Sequence, residues 1–199
     1  MKKLWSVALG LSLLLCGCTP TAREPDQLDL VAVLGVDGGG PVILYGVGRG
    51  DTQQPVRAEA QGETFLSARE RLPWSGEREL ALTNVEHLVV GPDADLAAVL
   101  YGILEDKELG ASAHVWFSAK GAQGLLEGGG DPVGQLELLL RQGVSSPTVI
   151  EVLAGLCDHG TALLPRLYWT GEKLQAGEAV LWQQRVELEQ SKRMENWGD

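Results

Sequence analysis

Cysteine is scarce in this chain, three in 199 residues. They stand at Cys16, Cys18 and Cys157. That is too few for a disulfide framework. Histidine is equally sparse: His87, His114 and His159 are the three. No H-E-x-x-H or H-x-x-E-H spacing occurs, so the sequence names no metal site. A nucleophile elbow, G-x-S-x-G, is missing too. Basic residues are outnumbered, 16 Lys+Arg against 27 Asp+Glu. So acidic a surface repels phosphate backbones and excludes nucleic acid as a partner. It also gives no pull towards anionic lipid, so attachment to a membrane needs a covalent anchor or a protein partner.

Glycine is plentiful, 26 residues, but not in nucleotide-binding patterns. "GVDGGG" (Gly35–Gly40) lacks the Gly-Lys-Ser/Thr of a phosphate loop, and "GVGRG" (Gly46–Gly50) is G-x-G-x-G with no helix opening after it. Both read as turns. "CDHG" (Cys157–Gly160) sets a thiol beside a histidine, but catalytic Cys/His pairs meet from separate segments and need a third, orienting group. Cys157 is expected to be a small buried hydrophobe. His159 suits a helix C-terminus. The six tryptophans are scattered, as core and contact residues are. No catalytic, cofactor-binding or metal-binding residue is expected.

What the sequence does hold begins at its N-terminus. Lys2 and Lys3 precede an apolar or small stretch, Leu4–Leu15, which is too short to span a bilayer but has the length of a signal core. "LCGC" follows. Leu15, Cys16 and Gly17 stand before Cys18 as in a lipobox, the cleavage signal of bacterial lipoproteins. Cys16 is not the modified residue, because bulky Leu15 would then adjoin the cleaved bond. Cys18 is therefore the expected lipid-attachment residue, and residues 1–17 the signal peptide. Without them 14 of the 16 bases remain against all 27 acids, a net charge of −13. The polar, proline-bearing stretch 18–27 reads as lipidated N-terminus and tether.

The rest reads as one domain, 28–185, with a charged tail over 186–199. "LDLVAVLGVD" (Leu28–Asp37) and "PVILYGVG" (Pro41–Gly48), joined across Gly38–Gly40, predict an antiparallel hairpin. Pro55–Gly62 predicts a third strand, and Thr64–Leu72 a helix capped near Thr64. Val85–Gly91 is a strand containing His87, a lone histidine expected to be a structural core residue. Leu96, Val99, Leu100, Ile103 and Leu104 share one face of a helix capped by Asp93 or Asp95. We read that face as core. Ser112–Gly121 is a strand and 122–127 a short helix. Pro132–Gly143 and Ser146–Cys157 are helices, the second with Ser146 as N-cap and Pro147 in its first turn. Thr161–Trp169 and Glu178–Gln184 are late strands. Alternating strands and helices behind an antiparallel hairpin predict a single α/β domain on a mixed sheet packed by several helices.

The order of these segments carries a resemblance. A leader ending in Gly17-Cys18 is followed by Gly35-Val36-Asp37 closing the first strand. Gly62 stands before the first helix, and His87 opens an "HLVVG" strand. "EDKEL" (Glu105–Leu109) and a late strand with Pro165 follow. Together they resemble the N-terminal domain of the Ger(x)C spore germination lipoproteins, the C subunits of nutrient germinant receptors. The similarity runs over about residues 11–183. The chain has Thr19-Pro20 where that family usually has Trp-Asp, and the resemblance covers the family's N-terminal domain only. The resemblance implies a non-catalytic lipoprotein on the outer face of the inner spore membrane. It would be held by lipid on Cys18 and assembled with A-type and B-type integral membrane subunits. The competing class is a membrane-tethered ligand-binding or hydrolytic envelope lipoprotein. A deep pocket with convergent polar groups would favour that class.

Overall fold

A computed structural model describes residues 28–49, 55–74 and 79–184. Strand β1 (Leu28–Asp37) turns through Gly38 into β2 (Val42–Arg49), its antiparallel partner. Gly38 has φ +76°, and a Cβ there would lie 2.3 Å from the Pro41 carbonyl oxygen, so only glycine fits the turn. β3 (Pro55–Gly62) adds antiparallel to β2. The other edge of β1 takes two parallel strands in succession. The short β4 (Glu79–Ala81) pairs with Leu28–Leu30, and β5 (His87–Val90) with Val33–Val36. β6 (His114–Ser118) and β7 (Thr161–Thr170) continue parallel, and β8 (Lys173–Gln183) returns antiparallel to β7. The sheet has eight strands in the order β3-β2-β1-β5-β6-β7-β8, with β4 beside β1.

Five α-helices cover it: α1 (Phe65–Arg71), α2 (Leu96–Glu105), α3 (Gly121–Glu127), α4 (Pro132–Arg141) and α5 (Val149–His159). α1, α2 and α5 share one apolar cluster with Val31, Leu34, Leu88 and Val115. α3 and α4 share a second with Val33, Val89, Trp116 and Leu167. The domain is thus three layers, helices on both faces of a mixed sheet. Central β5 is buried along its whole length, which is why it reads as an unbroken apolar run and not as an alternation.

Two bulges interrupt the antiparallel ladders. Val31 and Val33 are two apart and should share a face. A register shift between them sends Val31 to the first cluster and Val33 to the second. A second shift lies between Pro165 and Leu167, where β8 carries the extra residue: Pro165 pairs with Ala179 and Leu167 with Ala176. Proline has no N–H for a ladder, and a bulge tolerates that loss.

The hairpin, the mixed sheet and the helices follow the sequence reading, with differences. Residues 46–49, read as part of a turn, continue β2, and Leu104, read as core, is exposed. β4 was not expected, since three residues show no periodicity; it exists because β1 offers a free edge. β8 begins at Lys173 and not Glu178, drawn out by pairing along β7. α5 is capped by Thr148, not Ser146. Thr148 Oγ1 accepts from the Glu151 amide, and Glu151 Oε2 accepts from the Thr148 amide at 2.8 Å. Ser146 and Pro147 are taken up by the edge of β6 instead. The Ser146 hydroxyl donates to the Val115 carbonyl at 2.7 Å, and the Val115 amide donates to the Pro147 carbonyl at 2.8 Å. Cys157, expected in the core, is exposed. Val149, Val152, Leu153 and Leu156 face the sheet, while the Cys157 sulfur lies 3.8 Å from the Tyr101 hydroxyl.

Candidate functional site

Cys18, the expected lipid-attachment residue, lies outside the described residues, as do the leader and the charged tail. Within them, the residues that carry the resemblance do not converge on one cavity. Each holds two elements together.

Asp37 ends β1. Its Oδ1 accepts from the Ala122 amide at 2.7 Å and its Oδ2 from the Gln123 amide at 3.0 Å. These are orphan donors at the start of α3, whose own N-cap, Lys120, supplies no side-chain bond. Gly91 and Gly121 leave room for the carboxylate; a Cβ on Gly91 would fall 1.9 Å from Asp37 Oδ1. Gly35 lies under α3, where a Cβ would reach Leu126 Cδ1 at 2.6 Å, and Gly62 lies under α1, where it would reach the Ala68 nitrogen at 2.3 Å. In the "EDKEL" turn, Asp106 accepts from the amides of Glu108 at 2.7 Å and Leu109 at 3.2 Å, and pairs with Arg69 Nε at 2.5 Å. α1 is thereby clamped to the end of α2. A direct test follows for Asp37. Asp37→Ala removes two charge-assisted caps, each worth about 0.5–2 kcal/mol. Its chemical-denaturation midpoint should fall clearly, and that of Asp37→Asn, which keeps one acceptor, should fall less. Equal midpoints for the parent and Asp37→Ala would refute the capping role.

His87 lies in the sheet core, 1% exposed. Its Nδ1 accepts from Trp116 Nε1 at 3.3 Å, so the neutral ring carries its proton on Nε2. Burial, then neighbouring His114, pushes its pKa down to about 4, with Glu137 pulling weakly the other way. His87 is therefore neutral at pH 7 and sealed from solvent, a poor general base for any dissolved substrate. Tyr45 Oη donates to Gln123 Oε1 at 3.3 Å. Its pKa is pushed up to about 12, first by burial and then by Asp37, Glu59 and Glu127. It too stays protonated.

The concavities are modest. One of about 230 Å³ lies beside Tyr45, Arg57, Glu59 and Gln123. Another, of about 400 Å³, separates Leu138 of α4 and its C-cap Gln142 from Leu174 of β8. A third, of about 220 Å³, opens between α1 and α2 over Leu66, Ala98 and Tyr101. None of the three is lined by His87, Cys157 or His159. Among the described residues, no three His, Cys, Asp or Glu side chains are grouped to hold a metal ion. No helix there is long and apolar enough to cross a membrane. The outer surface does carry large aliphatics. Leu163 (60% exposed) and Leu181 (53%) are cross-strand partners on β7 and β8.

Fold and geometry together define a three-layer α/β domain on a mixed sheet, with polar groups spent on joining its layers. Set against known proteins, the chain matches no family model, no curated protein and no solved structure.

Proposed function

We propose that this chain is a lipid-anchored, non-catalytic subunit of a membrane receptor complex, of the kind formed by the C subunits of spore nutrient germinant receptors. The observation that carries the reading is the leader: Lys2-Lys3, the Leu4–Leu15 core, and Gly17-Cys18 immediately before a polar tether. In this reading the signal peptide is removed, Cys18 carries the lipid, and the domain stands on the outer face of the membrane beside A-type and B-type integral subunits. Two features of the domain support it. The residues of the resemblance act as joints between elements and do not converge on one pocket. The exposed Leu163–Leu181 pair is apolar surface of the kind subunit contacts use.

The test is a crosslinking pull-down of the tagged, full-length protein from spore membranes. Transporter-like integral membrane subunits should be recovered with it in constant ratio. Recovery of the lipoprotein alone, with a hydrolytic activity abolished by a single substitution that leaves folding intact, would replace this reading with the tethered-enzyme class.

A further inference from the structure

His87 is the one histidine buried in the core, and its hydrogen bonding has no provision for a second proton. Its Nδ1 is occupied as an acceptor by the Trp116 indole N–H, 3.3 Å away. Its Nε2 is buried and has no hydrogen-bond partner. Protonation would turn Nδ1 into a donor facing another donor, and add a charge where no group accepts from it. The surrounding elements offer little relief. On β1 the register neighbour is Val33. On β6 it is His114, with ring centroids 6.1 Å apart and Nδ1 3.0 Å from the Ser146 carbonyl. α4 contributes Glu137, the one acid whose charge acts on the ring, with a side chain 29% exposed.

Trp116 is fully buried and belongs to the same apolar cluster as Leu136 and Leu139 of α4 and Leu125 of α3. The bond that acid would break therefore lies at the seam between the sheet and one helical layer. α1, α2 and α5, on the opposite face, share no such histidine.

We propose that the His87–Trp116 hydrogen bond is an acid-operated latch: protonating His87 releases the α3–α4 layer from the sheet while the α1–α2–α5 layer stays packed. The direction follows from linkage. The buried ring's pKa of about 4 lies below the 6.5 of the free side chain, so the open state binds the proton better. The closed state keeps its full advantage above pH 6.5 and loses it as pH falls towards 4. At pH 5 those two values make opening about 20-fold more favourable than at pH 7. Most carboxylates titrate below that point.

The experiment is hydrogen exchange on the whole protein at pH 7 and pH 5, corrected for intrinsic exchange, with the titrations of His87 and the Trp116 indole followed by NMR. Opening constants for α3 and α4 amides should rise about 20-fold, those of α2 and α5 should stay within a few-fold, and the indole signal should move with His87. His87→Gln keeps a neutral acceptor for Trp116 and should abolish the pH step. A uniform response of both layers, an unchanged step in His87→Gln, or a His87 that titrates near 6.5 without moving the Trp116 signal would overturn the latch. Should His87→Gln fail to fold, the layer comparison and the two NMR titrations in the parent protein decide the question alone.

Discussion

Leu100→Ala should lower the stability of the domain by about 2–5 kcal/mol. Leu100 is 0% exposed. It packs in the cluster that joins α2 to α1, α5 and the sheet. Truncation to Ala removes apolar contact and leaves a cavity that a packed interior closes only in part. Domains are stable by roughly 5–15 kcal/mol, so the loss is a large share of the whole. For a domain of this size it corresponds to a melting temperature lower by about 5–15 °C. Leu104 is the matched control. Its spacing assigns it to the same stripe, yet it is 41% exposed, at the flank of the face that Leu96, Val99, Leu100 and Ile103 bury. Leu104→Ala should change stability by no more than about 0.5 kcal/mol. Calorimetry of both variants separates core from interface. Were Leu100→Ala to melt like the parent yet fail to join its partners, the buried face of α2 would be a contact surface.

Cys18→Ala should abolish membrane association altogether, and Cys16→Ala should leave it intact. The asymmetry follows from the proposed lipobox order, in which Gly17-Cys18 would mark the cleaved and modified site and Cys16 would depart with the leader. A buried methylene contributes roughly 0.8 kcal/mol to anchoring, and one acyl chain holds only marginally where two hold stably. A net charge of −13 after processing offers no electrostatic substitute. Loss of Cys18 therefore has no compensating term. Fractionation with labelled lipid reads the result: no label and an unprocessed or soluble protein for Cys18→Ala, normal label and size for Cys16→Ala. Labelled lipid on the Cys18→Ala protein would show that the anchor lies elsewhere.

Much of the architecture was legible along the chain. Signals confined to one turn or one strand survive folding because their cause is local: the Gly38–Gly40 break between β1 and β2, Asp95 before Leu96, and the β-rich run ending in Asp37. The cap of α5 shows the limit. Ser146-Pro147 has the form of a helix start, but the free edge of β6 claims both residues and the helix begins two residues later. Cys157 shows another. Its type favours burial, but its position on α5 places it outside the buried stripe.

Local order of residue types determined, by itself, the hairpin, the alternation of strands and helices, and the acidic composition. Each depends on neighbours within a few positions. Only the tertiary structure decided which layer each helix joins, that a bulge between Val31 and Val33 sends the two to opposite cores, that Asp37 caps a helix 85 residues away, and that His87 meets Trp116 across β5 and β6. Those outcomes depend on strand register and on the competition of distant edges for hydrogen bonds, and pairings made in space leave no periodicity in the chain.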